Sequence, residues 1–295
     1  MAATIPSDCT DTISLREFVE FCESHPELQE REFAIENADR LRALANDKRF
    51  LTAWLNEELE DVFNFQERND FEPPTFVLHN GGWFTVRAVV WLPLDARLMS
   101  PSMFSYFEAH DHRFDFLTCG YHGPGYRTVV YRYDYDSIAG YPGEPVDLEF
   151  VEDTHLTESK LMYYYASRDI HIQHPPESLS ISLNLILPRP KAQRRRQYWF
   201  DVENRRIAEH FGDMPMRRAL FAAARSIGDG DSDELLLALG TRHGAARTRA
   251  LALETLMARH PARREELQRV AAADASAYVR ACATGDGGAR VGQLQ

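Results

Sequence analysis

The chain has 295 residues, 44% hydrophobic, 26% charged and 11% aromatic, a composition that can fill an apolar core and excludes wholesale disorder. Its formal charge of −12 argues against attraction to nucleic acid or to anionic lipid. No run approaches the roughly 18 apolar residues of a membrane span, the first residues lack a basic stretch followed by an apolar one, and the four cysteines form no CxxC pair; the expectation is a cytoplasmic protein with reduced thiols, acting on neither nucleic acid nor membrane.

From Ser14 to about Phe65, the residues Leu15, Phe18, Val19, Phe21 and Cys22, and later Leu51, Trp54, Leu55, Leu59, Val62 and Phe63, recur at helical spacing. Ser14 with Glu17 three positions on forms a capping box, and Pro26 interrupts the pattern. Residues 1–70 therefore read as a helical N-terminal extension. At Asp70 the character changes to runs of β-branched and aromatic residues punctuated by Pro, Gly and Asn, as in FEPPTFVLHNGGWFTVRAVVWLP, FDFLTCGY, RTVVYRYDYD, VDLEFVEDTHL, KLMYYYAS and LSISLNLILP. Short strands without intervening helices predict an antiparallel sandwich or barrel over residues 71–190. Beyond Pro188 and Pro190, and above all from Arg217, the chain is rich in Ala, Leu, Arg and Glu with glycine breaks, which predicts a helical C-terminal domain over residues 191–295. Two of its stretches, ending in the pattern YVRACA, resemble helical hairpins of the HEAT type; such a region packs on the barrel, builds a homo-oligomer or receives a protein partner.

The chemistry concentrates in two places. In EAHDHRFDFLTCGYHGPG, His110 and His112 stand two apart, so on one strand both imidazoles leave the same face and can chelate one ion. Asp111 and Asp115 then point the other way, to solvent or to salt bridges. About sixty residues later, YYYASRDIHIQHPPESLSISLNLILP supplies His171 and His174 beside a Pro-Pro turn; His171 is the preferred third ligand, with His174 a rival or an orienting neighbour. His79 and His122 sit in turn-like contexts and read as surface groups. Several tyrosines, Tyr126 and Tyr164 among them, make the strands aromatic without revealing which line a pocket. Cys119 is the cysteine nearest this chemistry.

Over residues 75 to 190, about two fifths of the chain, the sequence resembles the cupin superfamily, whose first motif holds HxH and whose second supplies a later His. Within it, His110-Asp111-His112 and the HIQHPPESLSISLNLI stretch are similar to the thiol dioxygenases of the cysteine dioxygenase type. The resemblance implies a double-stranded β-helix barrel, mainly β with helical flanks, in which His110, His112 and His171 hold one divalent metal. The usual first-motif Glu falls at Phe116 or Leu117, so the implied site is three neutral imidazoles with open positions, which suits Fe(II) binding a small substrate and dioxygen. Arg87 matches the position of the family's substrate-carboxylate Arg, a natural carboxylate partner. Asn184 stands where the family has a His that supports the site from behind the ligands, Ile186 replaces its active-site Tyr, and Cys119 is two positions off its thioether cysteine, which implies a substrate other than cysteine. The leading expectation is an Fe(II) oxygenase acting on a small carboxylate-bearing substrate. The rivals are a Zn, Mn or Ni enzyme of Lewis-acid type and a metal-stabilised sensing or scaffold protein with a partner-binding helical tail.

Overall fold

The computed structural model describes residues 3–60, 65, 66, 69, 74–94, 104–193, 195–210 and 215–284; Val62, Phe63 and Asp70, named above, lie outside them. The chain divides into two compact units, residues 1–133 with 148–197, and residues 134–147 with 198–295.

The first unit begins with a short strand, β1 (Ala3–Ile5), and the helices α1 (Leu15–Ser24), α2 (Arg31–Glu36), α3 (Asp39–Asn46) and α4 (Phe50–Glu60). α1 starts as its sequence dictates: the Ser14 hydroxyl accepts from the Glu17 amide, and the Glu17 carboxylate accepts from the Ser14 amide at 2.8 Å. The strands are β2 (Thr75–Asn80), β3 (Thr85–Trp91), β4 (Ala109–His110), β5 (Phe114–His122), β6 (Arg127–Arg132), β7 (Glu149–His155), β8 (Leu161–Tyr164), β9 (Asp169–Gln173) and β10 (Ser180–Pro188), with the short helix α5 (Pro190–Gln193) after them. One antiparallel sheet runs β1-β8-β5-β10-β3-β2; in the other, β4, β9, β6 and β7 follow one another, also antiparallel. The described strands thus make two sheets and not one closed barrel, and the fold is mixed, with helices covering β structure.

Side-chain alternation assigns the two faces of the first sheet to different neighbours. Val86 and Ala88 of β3, Leu117 and Cys119 of β5, and Leu183 and Leu185 of β10 pack with Phe18, Leu41 and Leu44 of the helices. Their alternates Val89, Trp91, Phe116 and Ile186 join Met162, Tyr164, Tyr126 and Val130 in a second core on the opposite face. Covering by helices explains why β5 and β10 read as nearly unbroken apolar runs. Between β5 and β6, Gly123 and Gly125 take φ of 81° and 79°, and a Cβ on Gly125 would stand 2.0 Å from the Leu156 carbonyl oxygen.

Asp115 ties the helices to the sheet. Fully buried, it accepts from Arg31 Nε at 2.8 Å, Arg189 Nε at 2.7 Å, the Tyr163 hydroxyl at 2.8 Å and the Ala166 amide at 2.7 Å. Burial pushes its carboxyl upward, but the two guanidiniums and the amide outweigh that and hold it below the usual carboxylate range.

The second unit pairs β11 (Tyr198–Asp201) with β12 (Arg206–His210) and adds α6 (Pro215–Ile227), α7 (Gly230–Arg242), α8 (Ala246–Arg259), α9 (Arg264–Ala272) and α10 (Ala277–Thr284). α8 packs against α6, α7, α9 and α10 through Leu253, Leu256 and Met257, all buried. Forked Arg249–Asp274 bonds of 2.7 and 2.8 Å and the 2.7 Å Arg259–Asp233 pair staple its turns. Among the described residues no helix is long and apolar enough to cross a membrane.

Replacing Asp115 by Ala strips four donors of their acceptor and leaves two clustered guanidiniums without a counter-charge. Denaturant unfolding is expected to show a loss of about 3–5 kcal/mol, the cost of breaking a buried pair from one side.

Candidate metal centre

The register between β4 and β9 sets His110 directly opposite His171. His112 arrives differently from the sequence expectation. β4 ends at His110 and β5, which belongs to the other sheet, begins at Phe114, so His110 and His112 do not project from one continuous pleat. Residues 111–113 carry the chain across from one sheet to the other, and the bend aims the His112 ring back at its neighbours. Two contacts hold the bend: the Ser167 amide donates to the His112 carbonyl at 2.7 Å, and the Tyr133 hydroxyl donates to Asp111 Oδ2 at 2.7 Å. Asp111 is therefore not solvent-facing; it is fully buried.

The three rings converge by their Nε2 atoms. His171 Nε2 lies 3.0 Å from His110 Nε2 and 3.0 Å from His112 Nε2, and one ligand atom from each ring lies within 4.8 Å of the others. His110 and His171 are buried and His112 half-buried. His110 Nδ1 sits 2.9 Å from the Glu108 carbonyl oxygen, which can only accept, so Nδ1 carries the proton and Nε2 presents a lone pair to the centre. Desolvation pushes His110 down to about 4, against the Glu108 contact, and it pushes His112 and His171 well below their ordinary value, with the neighbouring imidazoles and Arg87 adding to the effect.

Neutral rings satisfy this arrangement poorly with protons alone, since the one hydrogen that His171 Nε2 can carry would be shared between two acceptors. His171 Nε2 has either one hydrogen or one lone pair, yet it faces two nitrogens, of which His110 Nε2 is an acceptor. A cation at the point of convergence removes the conflict. Nitrogens about 2.1 Å from one ion stand about 3.0 Å apart when mutually perpendicular and about 3.4 Å apart in a tetrahedron, so the two 3.0 Å spacings from His171 Nε2 fit perpendicular ligands of an octahedral ion. The group can hold a divalent ion, and the set contains no carboxylate.

Aromatic rings wall the cluster. Phe114 stacks on His112 at 4.8 Å, Phe116 stands edge-on to it at 5.3 Å, and Tyr164 stacks on Phe116 at 4.5 Å. Arg87 of β3 lies in register with Asn184 of β10, which in turn lies in register with Thr118 of β5. The Arg87 guanidinium carbon stands 5.8 Å from the Phe114 ring centre. Desolvation pushes Arg87 down to about 10, opposed by Tyr126, so it remains a cation at neutral pH and acts electrostatically on His112 and His171.

Of the residues singled out from sequence, His110, His112 and His171 come together, with Arg87 in electrostatic range. Asn184 is buried in the row with Arg87, and Ile186 sits in the core beside Phe116. His174 lies outside the three-ring group, with its ring edge-on to Phe107 at 5.3 Å. His79 stacks on Phe84, and His122 is exposed. Cys119 faces the helices, where burial pushes its thiol up to about 12; it is inert, not part of the site. Sequence reasoning left the pocket tyrosines open. Tyr126 hydrogen-bonds with Gln173, lies 4.2 Å from the Trp91 ring and acts electrostatically on Arg87. Its local signal was the YHGPGY turn, which fixes where the ring re-enters the core.

The shifts set the pH response of the metal-free protein. Between the unfolded histidine value of about 6.5 and the folded value of about 4 for His110, the unfolded chain binds a proton that the folded one refuses. Stability from the neutral rings is complete above about pH 6.5 and is lost as the pH falls. Asp169, pushed by burial up to about 6 from 3.8, acts with the opposite sign over that range and offsets one ring. Urea unfolding in chelator is expected to show stability falling from pH 7 to pH 4.5 at up to about 3 kcal/mol per pH unit, near two protons' worth, with a shallower slope in His171→Gln.

No protein-family profile and no curated protein matches the chain. Among solved structures it is similar over part of its length to a structure of DMSP lyases, at 13% identity and a TM-score of 0.24, covering 38% of this chain and 46% of that one. The match spans less than half of that chain, and a likeness of this TM-score carries no argument about fold or activity. The centre stands on its own geometry.

Proposed function

We propose that the chain is a mononuclear metal enzyme of cupin type, with Fe(II) held by His110, His112 and His171, acting as an oxygenase on a small carboxylate-bearing substrate. The observation that carries this reading is the set of three neutral imidazoles in an aromatic setting, in which the His171 Nε2 stands 3.0 Å from each of the other two Nε2 atoms. Three such ligands leave positions open on an octahedral ion, which suits Fe(II) in oxygen chemistry. Bound there, the ion would supply Lewis acidity toward an anionic ligand and one-electron chemistry toward dioxygen.

The chain's own residues would do the rest. Arg87, a fixed cation in range of the histidines, pairs with the substrate carboxylate and orients it. Asn184, in register with Arg87, offers an amide beside the same group. Tyr126, hydrogen-bonded with Gln173, presents a hydroxyl near Arg87 that stays protonated because burial raises it. Phe114, Phe116, Trp91 and Tyr164 exclude water and limit leakage of reactive oxygen species.

The test is elemental analysis of protein purified without added metal, followed by oxygen-electrode screens of amino acids, thiols and other small carboxylates. About one iron per chain, lost in His112→Ala and His171→Ala, with substrate-dependent oxygen uptake, is the expected result. Arg87→Gln is expected to keep its iron and raise the KM for the carboxylate substrate about 10- to 100-fold, the worth of a charge-assisted hydrogen bond. Zinc in place of iron, with turnover independent of oxygen, would favour a Lewis-acid isomerase, hydrolase or lyase at the same site.

A further inference from the structure

A second polar cluster adjoins the three rings. On β9, Asp169, His171 and Gln173 share one face of the strand, and the register with β6 sets Arg132 opposite Asp169 and Val130 opposite His171. Ser167 lies in the turn just before β9. Ser167, Asp169 and His171 are all less than 4% exposed. Five side-chain atoms here are buried without a hydrogen-bond partner in the protein: Arg132 Nε and Nη2, Ser167 Oγ, Asp169 Oδ1 and His171 Nδ1. Buried polar groups are satisfied by protein or by ordered water, and a polar site that offers two to four partners is where water is held. Arg132 Nε and Asp169 Oδ1 stand 3.7 Å apart, an ion pair too long for a direct hydrogen bond.

Two further facts tie this cluster to the metal centre. His171 turns Nε2 to the other rings, so as a neutral ligand it carries its proton on Nδ1, a buried donor in need of an acceptor. Residues two apart on a strand are about 6.6 Å apart along it, a distance that one water bridges between an imidazole and a carboxylate. Ser167 takes φ of 52°, the left-handed region a serine rarely occupies, and in that conformation its amide meets the His112 carbonyl at 2.7 Å.

We infer that Asp169, Arg132 and Ser167 hold ordered water that accepts the Nδ1 proton of His171, making Asp169 a positioning residue that fixes the tautomer and donor strength of this ligand. The inference rests on the metal-centre reading above. The Ser167 turn serves both ligands, His112 through its backbone and His171 through the water.

The experiment is Co(II) titration of the full chain, followed by the visible bands of the bound ion, for wild type, Asp169→Asn, Ser167→Ala and His171→Ala. Alongside it, 15N NMR of the zinc-loaded, 15N-histidine-labelled protein reads the Nδ1 proton of His171, and unfolding in chelator checks that each variant is folded. The expected result is Co(II) affinity weakened about 10- to 100-fold in Asp169→Asn, as for loss of a group that orients a ligating His, with altered bands and a His171 Nδ1 proton that exchanges faster than in wild type. Ser167→Ala is expected to move the same readouts in the same direction by less. Unchanged affinity, bands and exchange in folded Asp169→Asn overturn the inference, as does a loss of metal-free stability alone. Should Asp169→Asn not fold, Ser167→Ala decides by the same readouts. No Co(II) uptake by wild type would instead sink the metal centre itself, which separates the two failures.

Discussion

Everything at the candidate centre depends on how the turn at residues 165–168 distributes its amides. Tyr165 donates to Asp169 Oδ2 at 2.8 Å, Ala166 to Asp115 Oδ1 at 2.7 Å, and Ser167 to the His112 carbonyl at 2.7 Å. Three consecutive donors thus reach the strand that bears His171, the buried carboxylate that anchors the helices, and the crossover that bears His112. The Arg168 carbonyl accepts from Tyr133, whose hydroxyl in turn holds Asp111. These hydrogen bonds join the turn to both sheets and to the crossover beneath the His112 ring.

Electrostatics divides the first unit into two zones. On the helix side, the buried charge of Asp115 is compensated by Arg31 and Arg189, so its desolvation is more than offset. On the opposite face, the three imidazoles are desolvated without a carboxylate among them, and they stay neutral. Neutral imidazoles suit a cation, because each can turn a ring lone pair to it without releasing a net proton. Arg87 adds positive potential to the same zone.

Much of the site's chemistry was legible in residue types. The pair His110 and His112, the later His171 and the strand-borne Arg87 are each unusual enough in apolar surroundings to draw attention, and the Ser14–Glu17 capping box is a local signal that local hydrogen bonds fulfil. The roles of Asp111, Cys119 and Tyr126 were not legible. Strand alternation sends Asp111 away from the histidines but does not say that Tyr133, 22 residues on, will bury it. Nor does it say that Cys119 faces helices contributed by residues 18–44.

The sequence by itself determined which groups can ligate a metal, that helices flank a run of strands, and that the strands carry an aromatic core, because these follow from side-chain chemistry and from periods of 3.6 and 2. It did not show the strands at Ala3–Ile5, Tyr198–Asp201 and Arg206–His210, which fall in stretches that read as helical. Only the tertiary structure decided that His171 and not His174 joins the other rings, that the chain changes sheets between His110 and Phe114, and that Asp169 lies opposite Arg132. Those outcomes depend on register between strands distant in sequence, and a shift of one residue would turn His171 to the other face of its sheet.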